Sequence, residues 1–125
     1  MTIEFDNDRP IYLQIADMIR EAIMAGDIEE GNSIPSVREI SVEHSLNPQT
    51  VLNATQVLIN EGLLEKRRGL GMFVQEGARK KLLQSELNHF KEDEVPALVS
   101  RARLLGIQKP ELIEIVDDTY EEEAA

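Results

Sequence analysis

Two helix-start signatures lie close together near the middle of the chain, and they constrain its fold more than any other feature. Ser36 is followed three residues later by Glu39, the pattern in which both side chains cap the first turn of a helix. Asn47 and Pro48 form a second start, because Asn caps helices well and Pro fits their first turn. The first of these helices is short, and only the brief turn Ser45–Leu46 separates it from the second. Two helices joined so tightly form a helix-turn-helix arrangement.

The segments on either side extend this arrangement. Pro10 opens an earlier helix with apolar residues at helical spacing, and Gly26 ends it. After the third helix the apolar period changes, and LLEKRRGLGMFVQ predicts a strand, a tight turn and a returning strand. Gly69 and Gly71 allow the chain to reverse in that turn. The sequence therefore predicts a mainly α fold with a small β-hairpin, a winged helix-turn-helix domain.

The C-terminal part of the chain predicts three further helices. The first runs from residue 78 to about residue 93, and Asp93 or Glu94 caps a second that ends near residue 105. The third begins at Pro110. We therefore expect a helical break at Asp93 or Glu94.

These helices total under about 50 residues, which is marginal for a core of their own. They must pack on the N-terminal domain or on a second copy of the chain, and we favour the second copy. The predicted division is a DNA-binding domain over residues 1–77 and a short all-helical dimerisation tail over residues 78–125. The apolar side chains expected at the dimer interface are Leu83, Leu87, Phe90, Leu98, Val99, Leu105, Leu112, Ile115 and Val116.

Composition places limits on the class of protein. The chain has 125 residues, about one domain with a small appendage, and 42% of them are hydrophobic, enough to bury a core. It has no Cys, which removes disulfides and thiolate chemistry and fits a reducing cytoplasm. The N-terminus does not resemble a signal peptide and no apolar run approaches the roughly 20 residues of a membrane span. We therefore expect a cytoplasmic protein without a membrane partner.

The charge distribution matters more than the net charge of -11. Residues 66–81 carry six basic side chains against a single acid, Glu76, on an otherwise acidic chain. This local positive stretch is either a solvated surface cluster or the footprint of an anionic partner.

Catalytic and metal-binding patterns are missing from the sequence. The histidines, His44 and His89, do not stand at metal-ligand spacing, and no Ser lies in a nucleophile elbow. The glycines of the predicted hairpin are too close together for a phosphate loop. We therefore predict no enzyme activity, no metal and no cofactor.

Polar groups at the two helix starts match what DNA recognition requires. The first turn of the second helix in a helix-turn-helix reaches base edges, and Asn, Gln and Thr can all bond to bases. Asn47 and Thr50 would also serve as caps without DNA, whereas Gln49 has little capping value. Arg38 would reach a guanine or a phosphate, or form a surface ion pair, and Ser36 would bond a phosphate while capping.

The predicted hairpin adds charge beside these groups. Arg67, Arg68 and Gly69 lie at its tip, where a wing can enter the minor groove, and Lys66 would add a phosphate contact. The predicted DNA-binding residues are Ser36, Arg38, Asn47, Gln49, Thr50, Lys66, Arg67, Arg68 and Gly69.

The ordered set of these motifs resembles the GntR family of bacterial transcriptional regulators. The matching pieces, over about residues 9 to 75, are Pro10-x-Tyr12, Gly26, Gly31, Pro35-Ser36-x-Arg38, Asn47-Pro48-x-Thr50-Val51, Glu61-Gly62-Leu63 and Arg68-Gly69-x-Gly71-x-Phe73-Val74. The Asn-Pro-x-Thr-Val start and the short helical tail resemble the YtrA subfamily. The resemblance implies a homodimer, usually a repressor, that binds double-stranded DNA at an inverted-repeat operator and often controls a transporter operon.

The chain departs from the family pattern in the third helix. Polar or basic residues commonly follow the Thr-Val pair, and here Leu52 and Asn53 stand in those places. This departure shifts more of the expected DNA affinity onto the wing. The tail is too short to enclose a deep ligand pocket within one subunit, which leaves a groove at the dimer interface as the alternative. The sequence does not identify a small-molecule effector. The rival hypothesis is a winged-helix protein-interaction module without specific DNA binding.

Overall fold

The computed structural model describes residues 5–124, and its backbone forms helices and one antiparallel hairpin. The elements are α1 (Ile11–Ala25), α2 (Val37–Glu43), α3 (Pro48–Asn60), β1 (Leu64–Arg67), β2 (Gly71–Val74), α4 (Ala78–His89), a π-helical turn (Phe90–Glu94), α5 (Val95–Leu104) and α6 (Lys109–Ala124). The predicted fold class, mainly α with a small hairpin, is confirmed. The chain divides into two compact units, one ending at Gln84 and one beginning at Ser85.

Helix boundaries in the first unit follow local chemistry. Gly26 ends α1 in the left-handed conformation, with φ of 82°, and its N–H bonds back into the last turn. Ser36 and Glu39 form both hydrogen bonds of a capping box at the start of α2. Asn47 caps α3 through its side chain, and Pro48 occupies the first helical position. The predicted helix starts are therefore confirmed.

The core of the first unit is aliphatic and is shared by all of its elements. Helices α1 and α3 pack against each other through stripes of buried residues, and the hairpin and the start of α4 close the core. Its largest fully buried side chains are Ile15, Ile23, Leu58, Leu63, Leu64, Val51, Val74 and Thr55. Ala78 and Leu82 belong to this core as well, so the first turns of α4 stabilise the winged helix.

The hairpin is held on both sides of β2. Strand β1 pairs with β2 in antiparallel register, with Arg67 opposite Gly71. On its other edge, the N–H of Ile34 donates to the carbonyl of Met72 at 2.9 Å, and the N–H of Val74 donates to the carbonyl of Asn32 at 2.9 Å. The segment that leads into α2 therefore fixes the wing beside the helix-turn-helix.

The second unit contradicts one expectation. The predicted break at Asp93 or Glu94 is absent among the described residues: Glu94 has helical dihedral angles and makes no side-chain cap, and the backbone passes from α4 through the π-helical turn into α5. Pro96 explains the π-helical turn, because it has no N–H and its ring crowds the carbonyl one turn earlier. The N–H of Val95 donates five residues back to Phe90, which shifts the helical register without ending the helix.

The second unit has almost no interior of its own. Ala102 is its single buried residue among those described, and Leu98, Leu105, Ile113 and Tyr120 are all at least half exposed. Gly106, with φ of 78°, ends the α5 segment, and α6 begins at Lys109. The apolar faces of these helices are therefore left uncovered within this unit.

Candidate nucleic-acid interface

The start of α2 presents an exposed cation beside an occupied cap. The Oγ of Ser36 accepts from the N–H of Glu39 at 3.1 Å, and the Glu39 carboxylate accepts from the N–H of Ser36 at 3.3 Å. The Ser36 hydroxyl proton stays available for a further acceptor, since the cap uses only its oxygen. Arg38 is exposed, and within residues 5–124 its guanidinium has no hydrogen-bond or ion-pair partner. The surface ion pair considered for Arg38 is therefore absent between these residues.

A tight turn leads from α2 to α3. Ser45 has φ of 54°, in the left-handed region, and the N–H of Leu46 donates to the carbonyl of Ser41 at 2.8 Å. The Oδ1 of Asn47 then accepts from the N–H of Gln49 at 2.9 Å. The side-chain oxygen of Asn47 is thus occupied by the cap, and the N–H groups of its side-chain amide remain available to a partner. Thr50 is half-buried behind it.

The exposed face of α3 is polar but carries no charge, as its sequence PQTVLNATQVLIN shows. Two amide pairs run along it at a spacing of four residues. Gln49 Nε2 donates to Asn53 Oδ1 at 3.0 Å, and Gln56 Nε2 donates to Asn60 Oδ1 at 2.9 Å. Between the members of the first pair, Leu52 is 40% exposed.

A cleft separates this helix from the wing. Its volume is about 240 Å³, and it is lined by residues of the α2 start, of α3 and of the hairpin. Its lining includes Ser36 before α2, Leu52 on α3, and Lys66, Arg67 and Gly69 on the hairpin. The structure therefore brings predicted DNA-binding residues from two segments, the α2 start and the hairpin, around one groove. The other predicted residues, Arg38, Asn47, Gln49, Thr50 and Arg68, lie outside its lining.

The two arginines near the wing tip are in different states. Arg67 donates to Glu65 at 2.8 Å, and its guanidinium carbon lies 4.1 Å from the centroid of the Phe73 ring. Arg68 and Lys66 are exposed, and neither side chain has a polar partner among the described residues. Arg67 would have to leave Glu65 to bind a phosphate, whereas Arg68 and Lys66 are already available.

Two other basic residues of the positive stretch serve the fold. Arg79 Nε donates to the carbonyl of Met24, in the last turn of α1, at 2.9 Å. Lys81 Nζ donates to the carbonyl of Glu61, the C-cap residue of α3, at 2.7 Å. Cations at helix C-termini are favoured by the helix dipole. The sequence could not identify these roles, because the partners lie far away along the chain.

An ion-pair network around Arg20 joins α1 to the end of α3. Arg20 bonds to Asp17 at 2.6 Å and to both carboxylate oxygens of Glu61. Partial burial acts to lower the pKa of Arg20, but the hydrogen bond and charge of Glu61, together with Asp17, raise it above its ordinary value. The guanidinium therefore stays charged and fixes the far end of α3.

Other kinds of site find no support in the described part of the chain. No group of three or more His, Asp or Glu side chains within residues 5–124 is arranged to hold a metal ion. None of the helices described is long and apolar enough to cross a membrane.

Comparison with known proteins decides the family. The model of the bacterial regulatory proteins, gntR family, matches residues 11–74, which span α1, α2, α3 and the hairpin. The chain belongs to the GntR family. Its winged helix is therefore the DNA-binding domain of a transcriptional regulator, and the prediction that it is not an enzyme agrees with the regulators to which it is related.

Relatives of this GntR regulator extend the likeness over most of its length. The HTH-type transcriptional repressor YtrA of Bacillus subtilis (strain 168) is 32% identical over 109 residues, 87% of this chain and 83% of the relative. A GntR-family transcriptional regulator from Listeria monocytogenes has a similar structure, with a TM-score of 0.73 and 29% identity over 91% of this chain and 98% of that one. These likenesses agree with the YtrA subfamily assignment.

A third neighbour is a DNA complex. The DNA-binding domain of AraR, in complex with operator ORX1, matches 59% of this GntR regulator and 98% of its own chain. The TM-score is 0.54 and the identity is 27%.

Proposed function

We propose that this GntR regulator is a homodimeric repressor that binds an inverted-repeat operator through the α3 face and the wing. The observation that carries the proposal is the cleft between α3 and the hairpin, which is lined by the polar Ser36 and by Lys66, a cation with no polar partner among the described residues. The DNA-binding domain of AraR, a structural neighbour, is in complex with an operator. That likeness supports the same mode of binding here.

The contacts divide into two classes. Arg38, Lys66 and Arg68 supply the positive charge for phosphates, because their side chains are exposed and have no protein partner within residues 5–124. Ser36 adds a hydroxyl donor at the same edge. Each phosphate contact releases counterions, so a few local cations are sufficient on a chain of net charge -11.

Base reading falls to the amide and hydroxyl groups at the start of α3. Asn47 and Gln49 expose amide groups ahead of the helix, and Thr50 stands behind them on the same turn. Gly69, at the wing tip with φ of 77°, lets the backbone approach DNA closely, and a side chain there would be strained. Arg67 joins the phosphate contacts when DNA displaces Glu65.

The dimer is supported by the apolar residues that the second unit leaves exposed. Leu87, Phe90, Leu98 and Leu105 are 48%, 51%, 51% and 61% exposed. Val99, Ile115 and Val116 are less exposed, and Leu112 is half-buried. Leu83, 44% exposed, is the one residue of the predicted set that lies in the first unit. A second copy would cover such faces, and a two-fold dimer presents two winged helices to half-sites about one helical turn of DNA apart.

Cytoplasmic location and control of a transporter operon complete the proposal. Control of a transporter operon rests on the family resemblance, and the cytoplasmic location is supported by the absence of Cys from the sequence. Repression is supported by the relative YtrA, whose name describes a transcriptional repressor.

The test is binding of the full chain to DNA from its own promoter region as the salt concentration is varied. We expect a specific complex that weakens with salt, and that weakens further in Arg38→Ala and Arg68→Ala at every salt concentration tested. Scrambled DNA of the same composition is the control. Equal binding to promoter and scrambled DNA at low salt would contradict the proposal and favour a protein-interaction module.

A further inference from the structure

The surface of α3 over residues 49–53 is uncharged, which is unusual for a helix that would read DNA. Gln49, Leu52 and Asn53 are its exposed residues, and none of them is charged. Three and four residues apart on a helix, these side chains are neighbours on one face. Leu52 also lines the cleft that leads to the wing. The residues that replace the commoner basic ones therefore form a continuous amide and apolar surface.

The hydrogen bond between Gln49 and Asn53 determines what the Gln49 amide can offer. The Nε2 of Gln49 donates one of its N–H groups to Asn53 Oδ1 at 3.0 Å. A Gln side chain has a second N–H and a carbonyl oxygen. Within the described residues, the Gln49 side chain makes no other hydrogen bond. One donor and one acceptor thus remain for a further partner, and the bond to Asn53 restricts the rotation of the amide.

One donor and one acceptor are the pair that adenine requires. In the major groove adenine presents its N7 as an acceptor and its N6 amino group as a donor, and Gln pairs with both. Guanine presents two acceptors there, so a Gln oxygen would face the oxygen of guanine. A Gln amide held in one orientation therefore prefers adenine to guanine.

Leu52 adds an apolar surface beside this amide. The 5-methyl group of thymine is the apolar group that DNA presents in the major groove. Since Leu52 faces the cleft, it would meet a base pair on the wing side of the one that Gln49 reads.

We propose that Asn53 is a positioning residue that orients Gln49 to read adenine, and that Leu52 contacts the methyl group of a thymine one base pair towards the wing. This inference rests on the proposed operator binding and adds the base preference of this helix. The half-site would then contain adjacent A·T pairs beneath Gln49 and Leu52.

The chain contains a matched control for the positioning role. Gln56 and Asn60 form the same pair of amides at the same spacing, at 2.9 Å, on the last turns of α3. A bond of this kind stabilises a helix surface wherever it occurs. If Asn53 served the helix alone, Asn53→Ala and Asn60→Ala would have equal effects on base preference.

The experiment is selection of bound sequences from a randomised DNA library by the full-length protein, followed by binding to single-position variants of the selected duplex. Wild type, Gln49→Ala, Asn53→Ala, Asn53→Asp, Leu52→Ala and Asn60→Ala are compared, with thermal unfolding to show that each is folded. In wild type we expect adenine to be preferred over guanine at one position by roughly 5- to 150-fold. Gln49→Ala should abolish that preference, and Asn53→Ala should reduce it several-fold.

Asn53→Asp is the rescue variant. A carboxylate also accepts from Gln49 Nε2, so the adenine preference should persist, while the added negative charge weakens binding to every sequence alike. Asn60→Ala should leave the preference unchanged. An adenine preference that Asn53→Ala leaves intact, or that Asn60→Ala reduces equally, would overturn the positioning role.

The proposed contact of Leu52 with a thymine methyl group is tested separately, by a change in the DNA. Replacing the thymine with deoxyuridine removes only the methyl group, and should weaken wild-type binding about fourfold. Leu52→Ala should make the protein indifferent to that replacement. Equal sensitivity in both proteins would exclude the Leu52 contact. A wild type that selects no sequence at all would instead refute the proposed operator binding, and this inference with it.

Discussion

The guanidinium carbon of Arg67 lies 4.1 Å from the centroid of the Phe73 ring on the neighbouring strand. The same guanidinium also donates to Glu65, two residues away on the same face of β1. Arg67 is thus part of the wing's own structure, whereas the adjacent Arg68 has no polar partner among the described residues. Two adjacent arginines should therefore respond differently to substitution.

Arg68→Ala should weaken DNA binding without weakening the fold, because its side chain is exposed and has no polar partner among the described residues. The salt dependence of log Kd should lose about one unit of slope if Arg68 binds one phosphate. Arg67→Ala should lower the free energy of unfolding by about 1 kcal/mol through loss of its aromatic and ionic contacts. Fluorescence anisotropy against salt and urea unfolding measure the two effects. Identical changes in both variants would show that the wing does not separate these roles.

Asn47 allows capping to be distinguished from DNA reading. Asn47→Ala should cost about 1 kcal/mol of stability, because the N–H of Gln49 loses its acceptor. Asn47→Asp keeps the cap, since Asp also accepts there, but it brings a negative charge to the DNA surface. We expect Asn47→Asp to unfold at the wild-type urea concentration and to bind DNA less tightly. Unimpaired binding by this variant would place Asn47 outside the interface.

Lys81 and Lys80 form a matched pair for the structural use of charge. Lys81→Met removes the cation from the C-cap carbonyl of α3 and should lower stability by about 0.5–1 kcal/mol. Lys80→Met removes an adjacent exposed cation that has no partner in the described residues, and should leave stability within error. Urea unfolding of both variants checks the difference. A loss of stability in Lys80→Met as large as in Lys81→Met would argue against the cap.

The dimer interface can be tested in the intact chain. Ala78 and Leu82 belong to the core of the first unit, so a truncation before α4 would damage the winged helix as well. Leu98→Asp or Val116→Asp should instead raise the dimer dissociation constant at least tenfold, about 1.4 kcal/mol, and weaken operator binding. Sedimentation equilibrium measures the dissociation constant, and Leu70→Ser at the exposed wing tip is the control. A dimer unaffected by both aspartates would move the interface elsewhere.

The bridge from Arg20 to Glu61 should contribute to stability through a direct coupling. A double-mutant cycle with Arg20→Met and Glu61→Gln should give a coupling free energy of about 1 kcal/mol by urea unfolding. The pKa of Arg20 is raised in the folded protein, so the contribution of its charge is complete below the ordinary pKa and is lost only as the pH rises through the raised value. Between neutral pH and about pH 10 the coupling should therefore be constant. A coupling free energy that disappears within this pH range would contradict a direct interaction between Arg20 and Glu61.

The helix starts and the fold class were readable from the sequence because their causes are local. The capping box of Ser36 and Glu39, the Asn47 cap and the left-handed Gly26 each involve residues within a few positions of one another. Adjacent residue types are sufficient to specify such bonds. The helical break expected near Asp93 was wrong for a related reason: Pro96 favours a helix start locally, yet a π-helical turn lets the backbone continue through it.

The sequence by itself therefore determined the order of helices and hairpin, and the residues that begin α3. Only the tertiary structure decided which cations are available to a partner. Lys66, Arg67, Arg68, Arg79 and Lys81 look equivalent along the chain, but Arg79 and Lys81 bind the carbonyls of Met24 and Glu61, 55 and 20 residues away. Lys and Arg side chains are long and flexible, so the partner of each depends on which elements pack beside it. That choice is made by the packing of α4 against the core, and local sequence patterns do not contain it.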